Sequence, residues 1–149
     1  MKESIGGAWL FQIAIVFILL FAGYLALSVN YSRAFKVKNE IISIIERNEG
    51  ATTKTQDEIT KYLSKVNHTI MGPCDTADKE FPFSAGNNYS KGVYCLKMIC
   101  DNTATIPRAY YKVKVFFRFD LPILGDLATF KVVGETKMIH NNQQNGLQC

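Results

Sequence analysis

The chain has 149 residues, 48% of them hydrophobic and 20% charged, with a formal net charge of +4. Those averages fit one small domain, yet residues 4–32 carry no charged side chain, and apart from Lys2 and Glu3 every charge lies from Arg33 onward. The split excludes a simple soluble monomer and a polytopic membrane protein, and leaves one spanning segment joined to a water-facing remainder large enough for one small core. In chain order, residues 1–7 are a short, mostly polar start ending in Gly6-Gly7. Residues 8–29 follow as an apolar run broken only by Gln12, Gly23 and Ser28. At ~1.5 Å per residue that run spans roughly 33 Å as a helix, which matches a hydrocarbon core of about 30 Å. Trp9 and Tyr24, with Tyr31 just beyond, sit near its ends, where amphipathic rings favour the interface. A cleaved signal peptide is the rival, with Ala26-Leu27-Ser28 as a small-x-small cleavage site. The run exceeds the ~7–15 residues of a signal-peptide core, which favours the spanning helix.

From Ser32 to Asn48 there is no Pro or Gly, and Phe35, Val37, Ile41, Ile42, Ile44 and Ile45 recur at three- and four-residue steps between polar residues. This predicts an amphipathic continuation over residues 30–49, one helix with the spanning segment, capped at Gly50. Its isoleucine stripe should lie on the protein's own sheet. Thr55 and Glu58 have the spacing of a capping box, and Ile59, Tyr62, Leu63 and Val66 follow on one face of a short second helix. Residues 68–91 read as loop, punctuated by Gly72-Pro73, Pro82 and Gly86-Asn87-Asn88.

The rest reads as strands. Val93–Asp101 is strand-like, and Tyr111, Val113, Val115, Phe117 and Phe119 alternate with Lys112, Lys114, Arg118 and Asp120, with Phe116 interrupting the polar face. Residues 121–125 read as a turn, and Leu127–Ile139 as a third strand with Phe130, Val132, Thr136 and Met138 on one face. Three sequential strands with short connections predict an antiparallel meander. Such a sheet needs one face covered, and the isoleucine stripe is the natural cover. The fold class expected is α+β: a long N-terminal transmembrane and amphipathic helix packed on a small antiparallel sheet. Residues 50–149 form the water-facing α+β domain, and 140–149 a polar end.

No residue pattern points to catalysis, and no cofactor is expected. His68 and His140 are the only histidines, and neither lies in a nucleophile or metal motif. Cys74, Cys95, Cys100 and Cys149 contain no C-x-x-C pair, which argues against zinc or thioredoxin-like chemistry. On a regular strand Cys95 and Cys100 face opposite ways and do not bond each other. Cys74 then bonds one and Cys149 the other. Lys112, Lys114 and Arg118 line one strand face, which reads as a solvated face and not as a nucleic-acid surface. Orientation draws opposite signals. Arg33, Lys36 and Lys38 against Lys2 place the C-terminal domain inside by the positive-inside count. Four cysteines in a small domain place it in an oxidising exterior, and the exterior is the expectation adopted.

The order of these parts resembles type IV pilin-like proteins, and most closely the TadE-like pseudopilins of tight-adherence pili. The segment from Tyr31 to Asn39 is similar to the stretch that follows the membrane helix in that family, and the run Val113–Thr136, with its Leu-Pro turn, is similar to its C-terminal strands. The resemblance implies a membrane-anchored, non-catalytic subunit of a secretion or adhesion pilus, acting as a minor component or assembly factor. It implies packing against other pilin-like subunits through helix 8–48, cleavage between Gly7 and Ala8 by a prepilin peptidase, and an assembly contact at the fifth mature residue. The family carries Glu there to pair with a neighbour's new amine, and this chain has Gln12, which can hydrogen-bond but not ion-pair. Cys149 fits the disulfide that often staples the C-terminal loop of such proteins. The alternative is a single-pass anchored binding module that does not polymerise.

Overall fold

The structure, a computed structural model, describes residues 2–75, 77–83, 91–101, 108–121 and 125–140. Helix α1 runs unbroken over Lys2–Arg47, 46 residues. It starts before the two glycines, since Gly6 and Gly7 lower helix propensity by only about 1 kcal/mol each and no proline intervenes. Every residue from Gly6 to Ala22 is exposed, including Trp9 (67%) and Phe17 (68%). The segment is long and apolar enough to cross a membrane. An apolar helix of a soluble protein would be buried, and this one touches nothing until Gly23.

Beyond Leu27 the same helix becomes part of a core. Ala34, Val37, Ile41, Ile44 and Ile45 are buried on one stripe. The helix ends on a Schellman motif: the Gly50 amide donates to the Ile45 carbonyl (3.0 Å) and the Glu49 amide to the Glu46 carbonyl (3.3 Å). Glu49 takes the left-handed position (φ 53°), and Gly50 follows it. Helix α2 spans Thr53–Lys65. Its N-cap is Thr52, whose hydroxyl accepts from the Thr55 amide at 3.3 Å. The expected Thr55–Glu58 box is therefore displaced by three residues. Thr55 is fully buried and donates its hydroxyl to the Gly50 carbonyl (2.7 Å). Glu58 accepts instead from Arg47 and Asn48 at 3.0 Å each, which ties α2 to the end of α1. Ile59 and Leu63 enter the core, Tyr62 packs at its margin, and Val66 is exposed at the C-cap.

Among the described residues seven strands follow: β1 (Gly72–Pro73), β2 (Phe81–Phe83), β3 (Lys91–Gly92), β4 (Tyr94–Asp101), β5 (Arg108–Leu121), β6 (Gly125–Glu135) and β7 (Ile139–His140). β1 and β3 pair alone, and the main sheet has the order β2-β4-β5-β6, with β7 also on β5. All the pairings are antiparallel, and β4-β5-β6 is the expected meander. The third strand is shorter than its periodicity implies. After Glu135 the chain holds β5 partly through a side chain: the Tyr111 amide donates to Thr136 Oγ1 (2.9 Å), and the Thr136 amide donates to the Tyr111 carbonyl (2.9 Å). Val132 and Thr136 are buried as expected, whereas Phe130 and Met138 are exposed.

The core lies between α1 and one face of the sheet. Val37, Ile41, Ile44 and Ile45 meet Leu96, Val113 and Val115 there, together with Ile59 and Leu63 from α2. Gly134 lets the helix approach, since a Cβ there would meet Ile42 and Lys38 at 2.8 Å. A smaller cluster joins Ala34, Phe117 and Val132, with Leu27 beside them. Residues 109–115 of β5 therefore pack on the distal part of α1 and Phe117 on the part next to the apolar segment. β5 runs toward that segment. The opposite face of the sheet is covered locally by the Cys74–Cys95 disulfide, Ile70 and Phe116. That cover explains why Phe116 interrupts the polar alternation of β5.

Candidate functional site at the foot of the domain

The sequence-expected positions fall in three places. Gly7, Ala8 and Gln12 lie on the exposed apolar part of α1, and a Cβ on Gly7 would meet nothing within 4 Å. Cys74 bonds Cys95 across a Cα–Cα distance of 5.6 Å, which resolves the choice between Cys95 and Cys100. The reason is the pleat. Cys95 sits on the covered outer face beside Cys74, while Cys100 packs toward the helix side and is itself disulfide-bonded. Cys149, the other expected bonding partner, lies outside the described residues, as does the turn at 122–124.

Three lysines of the sheet are paired with acids. Lys114 Nζ lies 2.6 Å from Glu80 with both side chains largely buried, Lys97 lies 2.7 Å from Asp78, and Lys112 lies 3.5 Å from Glu135. Burial pushes the Glu80 carboxyl up, but its bonds from Lys114 and from the Asp75 amide outweigh that and hold it below the usual carboxylate range. The Lys97 ammonium holds Asp78 low in the same way.

A different arrangement occupies the end of the domain nearest the apolar segment. A cleft of about 330 Å³ opens between α1, the end of α2 and β5. Asn30, Arg33 and Lys36 line it from α1, Asn67 and His68 from the turn after α2, and Arg118 from β5. Residues 30, 33 and 37 share a helix face through the three- and four-residue spacing, with Lys36 beside them. The turn after α2 is fixed by a second Schellman motif, in which the His68 amide donates to the Leu63 carbonyl (3.0 Å) and Asn67 takes a left-handed φ of 50°. Burial pushes the His68 imidazole below its ordinary pKa, partly opposed by a bond to the Phe116 backbone, and its Nε2 is buried without a partner among the described residues. No carboxylate lies within salt-bridge distance of Arg33 or Lys36 among the described residues, in contrast to the paired lysines on the sheet.

Aromatic rings border the same end. Tyr31 meets Phe117 edge-on at 5.9 Å, Phe117 stacks on Phe130 at 5.4 Å, and Tyr31 stacks on Phe35 at 6.3 Å. Lys38 Nζ lies 4.1 Å over the Phe35 ring. Of these rings only Tyr31 carries a polar edge, the kind of ring favoured at a membrane–water boundary. The sequence marks Arg33, Lys36 and Lys38 only as a charge count. The meeting of Arg33 and Lys36 with residues 67, 68 and 118 depends on tertiary packing that no local pattern encodes. Among the described residues no group of three or more His, Cys, Asp or Glu side chains is placed to hold a metal ion. Comparisons with protein-family models, with curated proteins and with solved structures return no match.

Proposed function

We propose that the chain is a membrane-anchored, non-catalytic, pilin-like subunit of the TadE-like kind, serving a secretion or adhesion pilus as a minor component or assembly factor. The observation that carries this reading is the division of one continuous helix. Its first half stands wholly exposed and apolar, and its second half is built into the core of an antiparallel sheet. Such a helix couples a small domain rigidly to whatever packs around its apolar half. In a bilayer that is lipid, and in a filament it is the same segment of neighbouring copies. The domain faces the exterior on this reading, which the Cys74–Cys95 bond supports, because disulfides persist in oxidising compartments.

Gln12 favours a second reading. A neutral side chain on the exposed helix cannot make the ion pair that the resemblance assigns to its position. A single-pass anchored binding module that does not polymerise accommodates it without cost. Cysteine placed at Gln12 and oxidised in native membranes separates the two. A cross-linked dimer supports a packing subunit, and a monomer alone supports the binding module.

A further inference from the structure

We infer that the cleft at the foot of the domain binds the phosphate of an anionic phospholipid headgroup, drawn from the leaflet that the apolar segment enters. The inference rests on that segment being a membrane anchor. Depth is the first argument. The apolar run ends at Val29, so at ~1.5 Å per residue Arg33 stands roughly 6 Å and Lys36 roughly 10 Å beyond it along the helix. The headgroup layer adds about 5–8 Å to each side of the hydrocarbon core. Arg33 therefore lies at phosphate depth, and Lys36 reaches back to it through its flexible stem.

Charge is the second argument. Between Ser4 and Asn39 the helix carries Arg33, Lys36 and Lys38 and no acid. Lys38 is buried against Phe35, which leaves Arg33 and Lys36 exposed at the cleft, with no carboxylate at salt-bridge distance among the described residues. Lys97, Lys112 and Lys114 on the sheet are paired at 2.6–3.5 Å. A guanidinium and an ammonium together match a phosphodiester, the first by its planar fork and the second as a point charge.

Shape is the third. Asn30 lines the cleft beside the helix cations and Asn67 lines it from the turn after α2, so that the cleft offers neutral donors from two elements. The volume of about 330 Å³ is that of a small-ligand pocket. Its wall of Ala34, Val37 and Ile70 is apolar, which suits the first methylenes of a lipid's acyl chains. Leu27 packs against the sheet just below, so the domain sits on the bilayer with no spacer between them.

The test uses the full chain purified in a neutral detergent and offered mixtures of phosphatidylglycerol and phosphatidylcholine, with bound lipid counted by native mass spectrometry. The wild type should keep phosphatidylglycerol in preference. The preference should fall about fivefold for each of Arg33→Gln and Lys36→Gln, fall less in Arg33→Lys, which keeps the charge but not the fork, and be unchanged in Lys112→Gln on the sheet. Added inorganic phosphate should not displace the lipid. Equal retention of the two lipids by the wild type, or displacement by millimolar phosphate, would overturn the inference. A chain that stays soluble without detergent would instead remove the anchor on which it rests.

Discussion

Two residues on the outer face of the sheet show how local identity sets local structure. Gly72 lies against Phe116 so closely that a Cβ would overlap the ring, with its nearest atom at 2.1 Å. Glycine here provides space for a ring buried to 2% exposure. Gly72→Ala should lower stability by about 1–3 kcal/mol, measured as a shift in the chemical-denaturation midpoint, while Lys79→Ala on the same loop, already at a left-handed φ of 57°, should change it far less. The Glu80–Lys114 pair predicts a pH dependence. The folded Glu80 carboxyl is held below its ordinary value of 4.5. Its contribution is present above that value and is lost as pH falls through the folded pKa. Stability measured from pH 6 to pH 3 should fall less steeply in Glu80→Gln than in wild type. An unchanged slope would show that the pair does not govern acid sensitivity. From sequence, Phe116 was visible only as an interruption. Its cover comes from residues about 45 positions away, beyond the reach of any local period.

At the scale of elements, the long helix was legible because its two halves follow two clear rules, continuous apolarity and then a stripe at three- and four-residue steps. β4, β5 and most of β6 were legible by their alternation. The two- and three-residue strands β1, β2, β3 and β7 were not, because pieces that short carry no measurable period. The start of α2 was misplaced because Thr52 and Thr55 are chemically equal as caps, and only the buried bond from Thr55 to Gly50 distinguishes them. The stripe carries an energetic prediction. Ile41 is fully buried between α1 and the sheet, so Ile41→Ala should cost about 2–5 kcal/mol in denaturant unfolding. Ile42→Ala, only partly buried at the edge of the same cluster, should cost clearly less. At the end of α2, Asn67→Ala should lower stability by about 1 kcal/mol, since the left-handed position penalises a Cβ without the local bonding of Asn.

For the molecule as a whole, the positive-inside count and the cysteine count pull in opposite directions. If the cleft binds a headgroup as inferred above, its cations have a reason to lie outside that a topology count does not include. The exterior assignment predicts no alkylation when the denatured, unreduced protein is treated with a thiol reagent, in keeping with the lack of a free cysteine among the described residues. Alkylation of all four cysteines would place the domain in a reducing cytoplasm. The Cys74–Cys95 bond closes a separation of 21 residues, and removing it by paired alanine substitutions should cost about 3 kcal/mol in the chain-entropy model. The cleft itself was not legible in advance. It is assembled from a helix face, a helix-terminating turn and a strand end that meet only when α1 docks on the sheet.

The central claim is that one helix both anchors the domain and serves as the packing element of a pilin-like subunit. The mass of the mature N-terminal peptide, from protein isolated from native membranes, tests it most directly. The account predicts a chain that begins at Ala8, with Gln12 as its fifth residue. A chain retaining Met1 would contradict prepilin-type processing, and one beginning at Val29 would remove the anchor itself.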